Sequence, residues 1–374
     1  MKAFVKTTIL LLFVTNISLA QLNSEFEPGA LWKDTEGNFI NAHGGGILKH
    51  SDTYYWFGEI KESGKNGGLA LKGVSCYSSK DLHNWKNEGI ALKVIQDTTS
   101  MLQSGCIIER PKVIYNAKTK KFVMWFHHEL KGQGYAAAMA GCAVADNITG
   151  PYKYLFSGRI NAGVWPVGIS KEIKEDTLQD KDLKRGSEEW KLAIINGLFL
   201  RRDFKGGQMS RDMSLFVDDD KKGYLITASE DNQTLHLHEL SKDYTGFTGK
   251  FYRIFPGGRN EGPAIFKKNG VYYMFSSGLT GWKPNPGKSA MAKSITGEWV
   301  SLGNPCRGTD EENKTTFWSQ STFVLPIGKK SEKYIFLADR WKSEDLKDSR
   351  YIWLPIEFEG EKPILKWFDK WKIK

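Results

Sequence analysis

Five residues share one register in this sequence: His43 in NAHGGG, Glu109 in IERPKV, Asp212 in SRDMSLF, Glu261 in NEGPAIF and Gln320 in WSQSTF. Each stands just ahead of an apolar strand-like run. Taken singly they are ordinary: Glu109 and Asp212 each adjoin an arginine, and Glu261 reads as a turn cap. Taken together they are three carboxylates, an imidazole and an amide. That set suits hydrolysis of a glycosidic bond. One carboxyl must stay protonated to donate to the leaving oxygen, and a second acid close by raises its pKa. A further group must deliver water from the far side of the sugar.

Such residues need elements that bring them together. An apolar strand, a polar turn and an aromatic strand recur at 45–59, 111–127, 213–229, 263–277 and 321–339, the usual hairpin signal. A second hairpin follows each, at 73–92, 141–157, 235–254, 289–304 and 350–367. Two hairpins per unit and five units predict an all-β, five-bladed propeller. First strands of a propeller run along its central channel, so the five entry residues would converge on one pocket. Residues 158–209 fit no blade. SEEWKLAIINGLF places Trp190, Ile194 and Leu198 on one side of a short helix. The segment reads as a long, partly helical insertion between blades two and three that caps the pocket side and shapes specificity. Tyr55, Trp56, Trp125, Trp282 and Trp318 are candidates to stack on sugar faces, although each alone is more often core.

The chain has 374 residues and a net charge of +10. Lysine-rich turns such as NAKTKK and DKKG hold much of the excess and read as solvated hairpin tips. No phosphate loop, basic helix or RNA-binding signature accompanies them, which argues against a nucleic-acid partner. Residues 1–20 read as a signal peptide cut before Gln21, leaving one catalytic domain at 21–374. The apolar run is too short to span a membrane, and no cysteine follows the cut to carry a lipid. A secreted or periplasmic protein is expected. Cys76, Cys106, Cys142 and Cys306 form no CxxC pair, so no zinc site is expected. Export permits disulfides, but the strand-like runs around Cys76 and Cys142 equally suit buried thiols.

The set NAHGGGIL, YYWFGE, ERPKVIYN, SRDMSLFVDDD, NEGPAIFKKNGVYYM and SQSTFVLP resembles glycoside hydrolase family 43, and within it the branch containing the exo-β-1,3-galactanases. The similarity spans roughly residues 27–370. It implies a five-bladed propeller, inverting hydrolysis of plant-type polysaccharide, and no required cofactor. It places the catalytic acid at Glu261 and the pKa-modulating, orienting aspartate at Asp212. Most of the family carries an aspartate base in blade one, where this chain has Asn41 and His43. The galactanase branch shares that departure. There a blade-five glutamine, matching Gln320, is proposed to handle the water, and Glu109 matches an essential glutamate that positions substrate or water. An amide is a very poor base, so Gln320 would need its imidic-acid form or help from Glu109. Many members hold calcium near the axis through a blade-five histidine; Ser319-Gln320-Ser321 stands there instead, and bound calcium remains a possible, not a required, ligand. His43, Glu59, Tyr55, Trp125, Trp282 and Trp318 are the candidate substrate contacts. The expected partner is an oligo- or polysaccharide, β-1,3-galactan or arabinogalactan, met by a monomer. The alternatives are α-L-arabinofuranosidase, β-xylosidase, and a non-catalytic sugar-binding propeller.

Overall fold

The computed structural model describes residues 23–328 and 333–373; the signal-peptide reading of 1–20 lies outside them. Twenty strands form five four-stranded antiparallel sheets, each with its strands in sequence order. Blade one holds β1 (His43–His50), β2 (Thr53–Glu59), β3 (Gly73–Ser79) and β4 (Lys86–Lys93). Blade two holds β5 (Ile107–Asn116), β6 (Lys121–Glu129), β7 (Met139–Ala145) and β8 (Lys153–Gly158). Blade three holds β9 (Met213–Val217), β10 (Gly223–Ser229), β11 (Thr234–Leu240) and β12 (Phe247–Ile254). Blade four holds β13 (Glu261–Lys268), β14 (Val271–Ser277), β15 (Lys288–Ala292) and β16 (Val300–Gly303). Blade five holds β17 (Gln320–Ile327), β18 (Lys333–Arg340), β19 (Arg350–Glu359) and β20 (Lys362–Leu365).

The first strands β1, β5, β9, β13 and β17 are successive neighbours, and β17 returns to β1. This is a five-bladed β-propeller. Strands buried on both faces read as near-continuous apolar runs, and each blade boundary here buries its own apolar cluster. Among the described residues no sheet borrows a strand from the other end of the chain, so packing closes the ring. At the seam between blades five and one, Trp56 lies 4.8 Å from Trp353 and 5.3 Å from Trp85, centroid to centroid. Phe26 and Trp371 exchange backbone hydrogen bonds of 2.8 and 3.0 Å across the same seam.

A β-bulge sits at the pocket end of β1, β5, β13 and β17. Bulges bend a strand and re-aim its side chains. In three of them the residue after the candidate site residue is left-handed: Gly44 at φ +58°, Arg110 at +55° and Gly262 at +56°. Each turned N–H donates to a carboxylate of the preceding blade. Gly44 N reaches Asp339 Oδ2 at 3.1 Å, Arg110 N reaches Glu59 Oε1 at 2.7 Å, and Gly262 N reaches Asp212 Oδ2 at 2.9 Å. A Cβ at Gly262 would lie 2.5 Å from the Ser321 carbonyl oxygen, so both space and conformation demand glycine.

Between Gly158 and Met213 the chain forms only short helices: α1 (Lys171–Glu175), α2 (Glu188–Ile195) and α3 (Leu198–Arg202). Ser187 caps α2 by accepting from the Trp190 N–H, an ordinary N-cap. Arg253 of β12 donates to the Ile194 and Ile195 carbonyls, which fixes α2 against the outer edge of blade three. A fourth helix, α4 (Asp310–Thr315), precedes β17.

Candidate active site

A pocket of about 270 Å³ lies at the entry end of the first strands, lined by Glu59, Glu109, Arg110, His127, Tyr135, Arg211, Asp212, Asn232, Glu261, Gly281, Trp282, Gln320 and Trp341. A larger cavity of about 850 Å³ opens at the other end of the same strands. Its only carboxylate is Asp219, so the acid chemistry belongs to the smaller pocket.

Arg110 organises the pocket. Its Nη2 donates to Asp212 Oδ2 at 2.8 Å and to Gln320 Oε1 at 2.5 Å, and its Nη1 donates to the Ser321 carbonyl at 3.0 Å. Asp212 therefore has two donors, Arg110 and the Gly262 N–H. Glu261 is different. Its Oε1 accepts one hydrogen bond, from Asn232 Nδ2 at 2.8 Å. Burial, and then the charge of Asp212, push its carboxyl up to about 8, against the pull of Arg110. A carboxyl that keeps its proton near neutral pH is what an acid catalyst requires.

Glu109 has the opposite setting. Burial alone would raise it, but hydrogen bonding and charge from His127, with Lys61 and Tyr135 adding to them, hold it at about 2. Tyr135 Oη donates to Glu109 Oε1 at 2.7 Å, and His127 Nδ1 lies 3.0 Å from Glu109 Oε2. On the other side of the imidazole, Nε2 lies 2.8 Å from Glu129 Oε1. Against the burial penalty, these two carboxylates raise His127 to about 9. Glu59 pairs with Lys61 at 2.5 Å; burial raises the carboxyl and Lys61 opposes that rise.

The structure brings Glu59, Glu109, Asp212, Glu261, Gln320 and Trp282 to the pocket. Trp318, 42% exposed, stands in an adjoining recess with Trp282, Gln320 and Trp341. Three expectations are corrected. His43 is fully buried, with Nδ1 3.2 Å from Asp339 Oδ1 and its ring stacked on Tyr351, so it supports the wall instead of facing it. Trp125 is core, its Nε1 donating to the Tyr244 carbonyl at 2.8 Å. Tyr55 packs against the cluster between blades one and two. The segment 158–209 also differs from its expected role, because none of its residues lines the pocket. Asn41 is structural: its amide exchanges hydrogen bonds with the Lys61 backbone, both at 2.9 Å.

Arg110, His127, Tyr135, Arg211, Asn232 and Trp341 were not read as site residues. One signal was available for His127. In FVMWFHHE the polar residues close an otherwise apolar strand at the pocket end of the blade. Trp125→Phe tests the correction. It should cost about 1 kcal/mol through the lost hydrogen bond, seen in urea unfolding, with kcat and KM unchanged; a several-fold rise in KM would return Trp125 to the sugar.

A calcium site would need six to eight oxygen ligands. Among the described residues no cluster of three His, Cys, Asp or Glu could hold a metal ion. Inside the strand ring the Lys112 ammonium takes up the Gly44 carbonyl at 2.8 Å. All four cysteines are buried and free, and among the described residues no helix is long and apolar enough to cross a membrane.

A pocket of clustered acids at one end of a five-bladed propeller, with the Glu261 carboxyl pushed up, suits glycoside hydrolysis. Residues 196–348 match the glycosyl hydrolases family 43. A solved β-1,3-galactosidase of that family, in complex with galactodeoxynojirimycin, is 51% identical over 93% of this chain and 100% of its own, with a TM-score of 0.90. The exo-β-1,3-galactanase of Phanerochaete chrysosporium, solved with β-1,3-galactotriose, is 33% identical over 94% of this chain and 69% of its own (TM-score 0.75). That of Clostridium thermocellum is 37% identical over 93% and 66% (TM-score 0.75). Among curated proteins, the β-D-galactofuranosidase xynD of Aspergillus niger is 31% identical over 153 residues, and the match spans 41% of that protein. The chain belongs to glycoside hydrolase family 43.

Proposed function

We propose that the protein is an inverting, exo-acting β-1,3-galactosidase that removes galactose from β-1,3-galactan or arabinogalactan, exported to a secreted or periplasmic location. The observation that carries the reading is the Glu261 carboxyl, pushed up to about 8 beside Asp212. The galactan-cleaving relatives support the choice of sugar. Glu261 gives its proton to the glycosidic oxygen as the bond breaks. Asp212, held by Arg110 and the Gly262 N–H, helps keep that proton on Glu261 through its charge. Water attacks the anomeric carbon from the opposite face. Gln320 orients it and the ionised Glu109 receives its proton. The Gln320 oxygen already accepts from Arg110 and from Trp341 Nε1. Those donors favour the carbonyl form of the amide, so the proton goes to Glu109 and Gln320 only positions.

Hydrolysis of β-1,3-galactan and chromogenic galactosides, arabinofuranosides and xylosides tests the reading. Release of galactose from galactan with inverted anomeric configuration, seen by proton NMR, is expected. Preference for a furanoside or xyloside would replace the sugar, and inertness toward all of them would leave a sugar-binding propeller. Asp212→Asn should lower the Glu261 pKa, since one of its causes disappears while burial and the charge of Glu109 remain. The alkaline limb of the kcat/KM profile should then move to lower pH. An unmoved limb would remove Asp212 from this role.

A further inference from the structure

The turn joining β10 to β11 runs through three consecutive left-handed residues, Glu230 at φ +51°, Asp231 at +54° and Asn232 at +61°. L-residues visit this region singly, Asn and Asp most readily. Three in a row need outside support, and each side chain here has a different tie. Glu230 is fully buried and takes Arg253 at 2.7 and 2.8 Å and His236 at 2.8 Å. The same Arg253 holds the last carbonyls of α2. Asp231 Oδ2 accepts from Arg202 Nη1 of α3 at 2.7 Å, with Arg185 at 3.9 Å. Asn232 donates to the Glu261 carboxyl, and its buried Oδ1 has no partner among the described residues. Nothing but the turn itself therefore holds the amide on the acid.

We propose that the helical segment between blades two and three aims the catalytic acid through this turn, with Arg202 as its positioning residue. This rests on the reading of Glu261 as the acid. The segment contributes no lining residue, yet Arg202 is two bonded contacts from the proton donor: Arg202 to Asp231, then Asn232 to Glu261. Facing Glu261 are Asp212, Arg110, Glu109 and Arg211 together with Asn232. Facing the turn from α3, β11 and β12 are Arg202, His236 and Arg253, with Arg185 from the stretch between α1 and α2. Glu230 is held ionised at about 2, because His236 and Arg253 outweigh its burial. A changed profile at neutral to alkaline pH would accordingly not come from Glu230.

Arg202→Met, which keeps a stem over the Phe199 ring, and Asp231→Asn, whose side chain is 26% exposed in the parent, are the variants. Both are assayed on β-1,3-galactobiose and on dinitrophenyl β-galactoside, in the parent and in the Glu261→Gln background. Loss of one hydrogen bond to the acid predicts about a tenfold fall in kcat on the biose, with KM nearly constant. On the activated substrate the fall should be under twofold, and the alkaline limb should move to higher pH because a donor to the carboxylate is gone. In the Glu261→Gln background no further loss is expected. Equal losses on both substrates, a repeated loss in the Gln background, or unchanged kinetics would overturn the inference. If Arg202→Met does not fold, Asp231→Asn decides alone. If Glu261→Gln itself shows no leaving-group contrast, the acid reading falls first and this inference with it.

Discussion

Glu261→Gln should lower kcat/KM on β-1,3-linked galactosides by about 10²- to 10⁴-fold, the usual contribution of a positioned general acid. The amide has nearly the shape of the acid and can still accept from Asn232, so binding should survive. What it lacks is the proton. A galactose leaving group departs poorly as an alkoxide, while dinitrophenolate leaves unaided. The loss on dinitrophenyl β-galactoside should therefore be far smaller. Gln320→Ala should slow both substrates, since water attack is needed whatever leaves. The ratio of rates on the two substrates is the measurement. If Glu261→Gln slows both equally while Gln320→Ala spares the activated one, the acid and water-side assignments are reversed. Stability offers a second check. The folded protein holds this proton more tightly than the unfolded chain, with a pKa of about 8 against an ordinary 4.5. Glu261 therefore destabilises the fold increasingly as pH rises from the lower value through the higher. Glu261→Gln should remove that decline, and the variant should gain on the parent in thermal unfolding at pH 9.

Arg110→Met should cost about 3–5 kcal/mol, the penalty for removing one partner of a buried ion pair. The guanidinium is 4% exposed, and Asp212, Gln320 and the Ser321 carbonyl all depend on it. Burial opposes its charge, but Asp212, Glu59, Asp339 and Glu109 together raise its pKa above the ordinary value. Without it Asp212 keeps only the Gly262 N–H, and the pocket holds acidic groups with fewer compensating charges. Arg110→Lys should recover little, because a single ammonium cannot match the planar fork. Urea unfolding gives the number. A loss under about 1 kcal/mol would mean that solvent already screens the pair and that Arg110 is not the organiser of the pocket.

The propeller was legible because each blade repeats a local signal: an apolar strand, a short polar turn, an aromatic strand. Glu109, Asp212, Glu261 and Gln320 were legible because their position within that repeat is fixed. The rest depends on how the ring closes. Tyr135, Asn232 and Trp341 come from connections after second strands, and nothing in the local sequence says that these reach the axis. His43 shows the limit of the register argument. The same entry position that faces the pocket in blade four is covered in blade one, where Trp341 lies 6.1 Å from the imidazole, centroid to centroid. Trp125 misled for a related reason. A tryptophan on an inner hairpin suits a sugar platform, but this one faces the next blade, and only the packing between blades reveals it. A break in the repeat was visible after blade two, while the shortness of its helices and their contacts to a turn of blade three were not.

The bulge N–H groups have a consequence for how the site comes into being. Arg110 N to Glu59 joins blades two and one; the Arg110 side chain to Asp212 joins two and three. Gly262 N to Asp212 joins four and three, Gln320 Nε2 to Ser277 Oγ at 3.0 Å joins five and four, and Gly44 N to Asp339 joins one and five. The polar circuit around the pocket thus crosses every boundary at least once, the seam included. No subset of blades holds a complete site, and a chain emerging blade by blade during synthesis has no partial catalyst to offer. Catalytic competence is therefore a property of topological closure, and turnover reads out whether the last blade has met the first.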